Sequence, residues 1–346
     1  MHKGGIILNL TIRDVAKVAD VSPSTVSRVL NNSSRISDPT KKRVLKVIRE
    51  LNYHPNNLAR NFANQNSKMI GLIEDLNEVE AFNNIYFYKV IFGLEKTICE
   101  YGYNLMFINY NNRENKDIFK KLIMEKRVDG IIFPSFLFNK NILSFFKKKN
   151  FPFVLLGEPF EGINKVNWVD VDNKLAGELV TQHLINKGYR KIAFIGPSFK
   201  VNFAYKRFLG YKETLAKNNF KMNSKYVLTD INTEKSAYIT MNNVLEKHNE
   251  LDAVICVNNL IAYGALKAIK EKGLDIPENF GIVTFDKYPL ANYLEPKLTT
   301  VDLDLIALGV EAGKTLVQSI ENNISKKQHT IINTSLVEEE STLRKG

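Results

Sequence analysis

The stretch TIRDVAKVADVSPSTVSRVL, followed by TKKRVLKVIRELNYHPNNLARNF, constrains this chain more than any other. Ile12, Val15, Ala16 and Ala19 recur at i, i+3, i+4 and i+7, the apolar stripe of a short helix. Val26, Val29 and Leu30 share a second face, and Val44, Val47, Ile48 and Leu51 repeat the first spacing. Three amphipathic helices this short bury their faces only against one another. The middle one leaves Ser22, Ser24, Thr25, Ser27 and Arg28 outside, all short or donor-bearing side chains. A small polar helix standing proud of a three-helix core is the geometry that enters a DNA major groove.

The boundaries of these helices are written in their caps. Thr11 followed by Asp14 is a capping-box arrangement that satisfies free backbone N–H groups. Ser22 before Pro23 puts a cap ahead of a first-turn proline, whose missing N–H costs nothing there. Ser37, Asp38 and Pro39 open the third helix in the same way. The short link between the first two helices is that of a helix-turn-helix. Charge agrees: residues 1–66 carry eleven Lys or Arg against four Asp or Glu, whereas the rest carries 37 against 33. Positive charge concentrated in this way is an electrostatic footprint for phosphates and makes binding salt-dependent. In the segment that follows, Asn57 to Phe62 is too short for a stable isolated helix, because nucleation is costly. It is expected to order only on DNA or against a second copy of the chain.

With 346 residues, 44% of them hydrophobic and 25% charged, the chain reads as globular with room for two or three domains. Cys99 and Cys256 sit inside apolar runs and give neither a disulfide framework nor metal-ligand spacing. The greasy patch in MHKGGIILNL is too short for a signal-peptide core. No apolar run approaches membrane-spanning length. A cytoplasmic protein is expected.

From Met69 the pattern becomes alternation. Short apolar runs at Met69–Ile73, Asn104–Ile108, Gly130–Phe133 and Phe153–Leu156 read as buried strands, and so do Lys191–Ile195, Val227–Thr229, Ala253–Val257 and Gly281–Phe285. Amphipathic stretches such as Tyr88–Tyr101, Lys174–Lys187, Lys206–Lys217, Lys235–Lys247 and Ile261–Lys272 lie between them. This order means α/β with parallel sheets, split into two lobes with a break near Asp172–Asn173. An enzyme is disfavoured. After Ile73 the chain runs EDLNEVEAFNN with no glycine until Gly93, and neither a GxGxxG nor a GxxxxGK[ST] phosphate loop occurs. The five histidines are scattered and no GxSxG elbow is present. No cofactor or metal is expected.

The chain resembles the LacI/GalR family of transcriptional regulators. The likeness rests on TIRDVAKVADVS, TVSRVLN, RVLKVIRELNYHPNNLAR, VDVDN, GYRKIAFIG, FDKY, LTTVDLD and EEST, which span Thr11 to Thr342. It implies an N-terminal all-α helix-turn-helix head and an α/β core of two flavodoxin-like, periplasmic-binding-protein-like parallel-sheet subdomains. The expected boundaries are an N-terminal extension over 1–10, the head over 11–54, a hinge helix and linker over 55–67, and an effector-binding and dimerisation domain over 68–346. Within the last, one subdomain is expected over about 68–171 plus 287–302, and the other over about 173–286 plus 303–335.

The resemblance also assigns residues. Pro23 and Ser24 fill positions where the family varies its operator preference. Arg28 offers a fork suited to guanine, or alternatively a phosphate clamp. Thr11, Ser22, Thr25, Asn31 and Tyr53 are placed at the DNA backbone. Asn56, Ala59, Arg60 and Phe62 fall in the hinge, with Phe62 where the family has a leucine wedge for the minor groove, or else packed in the junction.

Effector residues are expected just after strands, at their carboxyl ends. Asn84, Tyr86 and Phe87 match the family's NPFF segment, with Ile85 replacing its proline, although the two rings could equally pack helix to sheet. Arg207, Asn258 and Asp286 match polar cleft positions, Arg207 and Asp286 being read as a buried pair for vicinal hydroxyls; Asp286 could instead cap a turn. Asn258-Asn259 departs from the family's Asn-Asp. The segments FPFVLLGEPFEGINKVNWVDVDN and LTTVDLD are most similar to the maltose and α-glucoside branch, which would put Trp168 near the cleft mouth. Val201 disfavours a purine corepressor. The expected protein is a homodimeric repressor of carbohydrate genes, binding a palindromic DNA operator and a sugar effector. A global catabolite regulator activated by a phosphoprotein partner is the alternative within the class, and a sugar-binding or sugar-modifying enzyme the alternative outside it.

Overall fold

The computed structural model describes residues 10–30, 33–53, 66–74, 85–110, 117–286, 293–322 and 327–344, with only the backbone of Ile85 and Tyr86. The chain forms two compact units, 1–67 and 68–346.

In the first unit α1 (Ile12–Val18), α2 (Pro23–Leu30) and α3 (Asp38–Glu50) pack around Val15, Ala16, Ala19, Val26, Val29, Val44, Val47 and Tyr53. These are the stripes read from the sequence, converged on one small core. Asp14 closes the first turn by accepting from the Thr11 backbone N–H at 2.8 Å and its hydroxyl at 2.7 Å. Ser22 accepts from the Thr25 N–H at 3.2 Å, which satisfies one of the free amides at the start of α2.

The second unit holds two six-stranded sheets. Sheet one is built from β1 (Met69–Glu74), β2 (Asn104–Asn109), β3 (Gly130–Pro134), β4 (Phe153–Leu156), β5 (Asn167–Val171) and β11 (His329–Ile332), in the order β11-β5-β4-β3-β1-β2. Sheet two contains β6 (Ile192–Ile195), β7 (Val227–Leu228), β8 (Ala253–Cys256), β9 (Gly281–Phe285), β10 (Thr299–Asp302) and β12 (Ser335–Val337), in the order β12-β10-β9-β8-β6-β7. Every pairing is parallel except that of β10 with β12. The central strands are buried throughout, as helices on both faces require.

Helices α4 (Ile85–Glu100) and α11 (Leu305–Asn322) pack together on sheet one. On sheet two α7 (Asn173–Asn186) lies against α8 (Asn202–Lys217), and α9 (Glu234–Lys247) against α10 (Asn259–Glu271). The first lobe also carries α5 (Ile118–Met124) and α6 (Lys140–Lys149). Close approach of α7 and α8 depends on Gly177, where a Cβ would lie 2.1 Å from the Arg207 carbonyl oxygen.

The expected subdomain boundaries after Asp286 are exchanged. β10 belongs to sheet two, while α11 and β11 return to sheet one, and β12 crosses back again. The chain therefore passes between lobes at 171–173, 302–305 and 332–335. The physical reason is pairing: β11 is held by β5, with His329 opposite Trp168, and β10 by β9, with Thr299 opposite Val283.

Candidate functional site

In the head, Pro23, Ser24 and Arg28 are exposed on α2, with Ser22 exposed and Thr25 half-buried beside them. The Ser22 hydroxyl lies 2.8 Å from that of Ser24 and 2.9 Å from that of Thr25. This hydroxyl cluster at the helix start is a ready set of donors and acceptors for base edges and phosphates. Thr11 is exposed, its side chain engaged with Asp14. Tyr53 packs its ring into the head core, which leaves only its edge for a phosphate. Asn31 and the hinge residues Asn56, Ala59, Arg60 and Phe62 lie outside the described residues.

In the second unit a cavity of about 570 Å³ opens between the lobes. It sits at the carboxyl ends of both sheets, where strand ends diverge and leave backbone and side-chain polar groups facing a crevice. One wall is a continuous polar relay. The Arg207 guanidinium donates from Nε to Asn173 Oδ1 at 3.0 Å and from Nη1 to the Val257 carbonyl at 2.6 Å. Asn173 Nδ2 donates in turn to Asp170 Oδ1 at 3.0 Å, and Asp170 accepts the backbone N–H groups of Glu158 and Val171 at 2.9 and 2.8 Å. Phe285 supports the guanidinium carbon, 4.2 Å from the ring centroid.

Two ion pairs join the lobes at the cavity's edges. Lys206 of α8 meets Glu158, beyond β4, at 3.1 Å, and Lys89 of α4 meets Asp286, beyond β9, at 2.8 Å. Asn202 Nδ2 adds a bond to the Glu158 carbonyl at 2.6 Å. The Asn202 and Asn259 side-chain oxygens are buried acceptors at this wall without a hydrogen-bond partner among the described residues. Such atoms are uncommon in a protein interior unless something is meant to reach them.

The cavity thus gathers Arg207, Asn258 and Asp286. The expected Arg–Asp pair is rearranged: the Asp286 carboxylate is engaged by Lys89, and Arg207 serves the Asn173–Asp170 relay. Asn258 spends its carbonyl oxygen capping α10, accepting from Ile261 N–H at 3.0 Å. Trp168 is not at the cleft mouth. Its indole is buried in the first-lobe core, stacked on His329 at 5.2 Å and donating to the Ile163 carbonyl. It shares a face of β5 with Asp170 but sits two residues further from the carboxyl end of the strand, where the cavity lies. Phe87 packs against the first-lobe core and Phe107, at 6.0 Å, rather than lining the cavity. Asn84 and the Tyr86 side chain lie outside the described residues. Sequence reasoning passed over Asp170, Asn173, Asn202 and Lys206; the two acids inside the apolar run of VDVDN were the available signal.

Comparison with known proteins follows the same two units. The model for "Bacterial regulatory proteins, lacI family" matches residues 11–56, and that for a periplasmic binding protein-like domain matches residues 181–342. The HTH-type transcriptional regulator MalR of Streptococcus pneumoniae (strain TIGR4) is 33% identical over 326 residues, covering 92% of this chain and 95% of that protein. The chain belongs to the lacI family of bacterial regulatory proteins. It is similar as well to the HTH-type transcriptional repressor PurR of Histophilus somni (strain 129Pt), 31% identical over 326 residues, 93% of this chain and 95% of that one. Among solved structures, the transcriptional regulator CelR–cellobiose complex matches with a TM-score of 0.75 and 26% identity, covering 96% of this chain and 99% of that one.

In this lacI-family regulator the cavity carboxylates sit in a medium that disfavours their charge. Burial pushes Asp170 up from 3.8 to about 6, against the pull of the Glu158 and Val171 N–H groups and of Arg207. Burial also raises Asp286, opposed by its hydrogen bond and attraction to Lys89. Between 3.8 and about 6 the folded chain keeps the Asp170 proton that the unfolded chain has released. The stability this group contributes is therefore present at low pH and lost as pH rises through that window. Denaturant titrations of the wild type and of Asp170→Asn across the window should show a stability difference that changes with pH; a constant difference would refute the shift.

Proposed function

We propose that this transcriptional regulator is a cytoplasmic homodimeric repressor of carbohydrate-uptake or carbohydrate-use genes, released from or held on its operator by a saccharide in the interlobe cavity. The observation that carries the reading is the cavity wall itself, where Arg207, Asp170 and Asp286 combine donors and acceptors beside the apolar side chain of Phe203. A sugar presents both a hydroxyl rim and an apolar ring face, and a pocket of this volume with a few convergent polar groups suits it. The cellobiose bound by the CelR relative is consistent with that class of ligand. Ligand contacts to both lobes would compete with the Glu158–Lys206 and Asp286–Lys89 pairs and so shift the lobes.

A second copy is needed because one short head covers too little DNA to be specific. Exposed Tyr88 and Phe92 on α4, with Phe107 and Ile306, offer the first lobe an apolar face for it. Pro23, Ser24 and Arg28 read base edges in this scheme, while Thr11, Ser22 and Thr25 contact phosphates. Arg28→Ala should weaken operator binding by about 1–3 kcal/mol, and in a base-substitution scan the loss should fall on one base pair of each half-site. A uniform loss across all bases makes Arg28 a phosphate contact instead. Titration of mono- and oligosaccharides against operator binding tests the whole reading. Operator affinity must change with a bound saccharide, and by linkage operator DNA must change saccharide affinity by the same factor. If no saccharide alters operator binding, the effector class is wrong.

A further inference from the structure

We propose that the cavity mouth is a second sugar subsite, made by Phe136 and Phe160 of the first lobe and Tyr205 of the second, so that the effector is an oligosaccharide. Its first unit lies on the Arg207–Asn173–Asp170 wall and its further units stack on these rings. The inference rests on the saccharide reading above and deepens it.

Phe136 is 61% exposed, Phe160 51% and Tyr205 36%, and the two phenylalanines line the cavity. Scattered apolar side chains on a surface need no explanation, but aromatic rings gathered at the lip of a polar pocket mark a surface that is covered when the pocket is filled. The Phe160 and Tyr205 ring centroids are 6.2 Å apart, so a ring of the second lobe meets the cavity-lining Phe160 of the first at the lip.

These rings are held in place. Phe160 lies on a short turn between Gly157 and Gly162, whose φ values of 91° and 74° only glycine adopts without strain. The turn is tied down at Glu158, through its N–H to Asp170, its carbonyl to Asn202 and its carboxylate to Lys206. Gly157 packs so close to Ser135, the neighbour of Phe136, that a Cβ there would sit 2.8 Å from its hydroxyl oxygen. Tyr205 is backed by Phe199 at 6.1 Å, which stacks on Phe208 at 4.4 Å. The network that would grip the first sugar unit therefore also positions the platforms for the next.

A pyranose ring offers a face of C–H groups to the electron-rich face of an aromatic ring, and its hydroxyl rim to a donor such as Lys200 at the same mouth. A single unit seated on the polar wall leaves Phe136 and Phe160 in water. Two or three linked units cover them.

The test is calorimetric titration of the full-length protein with glucose, maltose, maltotriose, cellobiose and cellotriose. Affinity should rise by roughly twofold to tenfold for each unit that stacks, as expected for one aromatic contact. Phe160→Ala and Phe136→Ala should lose that gain for the longer sugars and leave glucose binding unchanged, whereas Phe160→Trp should retain it. Glucose bound as tightly as its oligomers, or oligomer affinity unaffected by both alanine variants, overturns the subsite while the saccharide reading stands. No binding of any of these sugars overturns the saccharide reading, and the subsite with it.

Discussion

Replacing Arg207 with methionine should erase the thermal shift that a bound saccharide gives the 68–346 unit and lower the stability of that unit by about 1–3 kcal/mol for each acceptor it strands. The side chain is 5% exposed, and it reaches Asn173 Oδ1 and the Val257 carbonyl from one guanidinium. Methionine fills much of the volume but offers no donor, so both acceptors are stranded in a dry wall. Removing the cation also takes away an attraction that holds down the Asp170 and Asp286 pKa values, so both carboxyls shift further toward their neutral forms. Arg207→Lys separates the two effects. It keeps the charge near the carboxylates and loses the fork, so stability should recover more than saccharide binding does. Operator affinity measured without effector should persist in either variant that folds, while its response to saccharide disappears. A methionine variant that binds and responds like the wild type removes Arg207 from the site.

The head was legible in the sequence because every determinant is local. Thr11 and Asp14, or Ser22 and Thr25, are three residues apart, and their capping bonds form within one turn whatever the rest of the chain does. The central strands were legible for a related reason, since β3, β4 and β8 are unbroken apolar runs. The C-terminal crossings were not. TTVD, HTII and SLV are short and half polar, and what makes them strands is a partner far away in sequence, as when Ile331 pairs with Asp170. β5 hid for the opposite reason: it is buried along its whole length, yet carries Asn167 and Asp170, whose polar groups are satisfied by Ser319, Asn173 and backbone N–H groups.

The site followed the same division. Asn258 and Asp286 stand just beyond strand ends and Arg207 in the second turn of a helix, all of which could be located along the chain. Their partners could not, because Lys89 lies 197 residues before Asp286 and only the folding of both lobes brings the two together. Trp168 shows the cost of reading a strand without its pairing. Trp168 and Asp170 share a face of β5, so position along the strand decides which side chain reaches the cavity at its carboxyl end and which is covered within the sheet, where His329 on the neighbouring strand takes up the indole.

Val26→Asp should abolish specific operator binding, by more than about a hundredfold, while the saccharide-induced thermal shift of the 68–346 unit stays as in the wild type. Val26 is fully buried at the centre of a cluster of eight side chains, most of them valine or alanine. A core this small leaves little stability to spare, and a carboxylate within it must either stay unpaired or force the helices apart. Both routes dismantle α2, which carries Ser24 and Arg28 on its outer face. The loss should appear as a drop in helical circular dichroism confined to the head's share of the signal. The large unit has its own core and its own cavity, so its transition and ligand response are expected to survive. Comparison with Arg28→Ala completes the argument. Arg28 is exposed, so its removal should cost operator affinity without touching helical content, and the two variants together separate the recognition surface from the scaffold that presents it. Retained operator specificity in Val26→Asp would mean that base reading does not depend on this three-helix core.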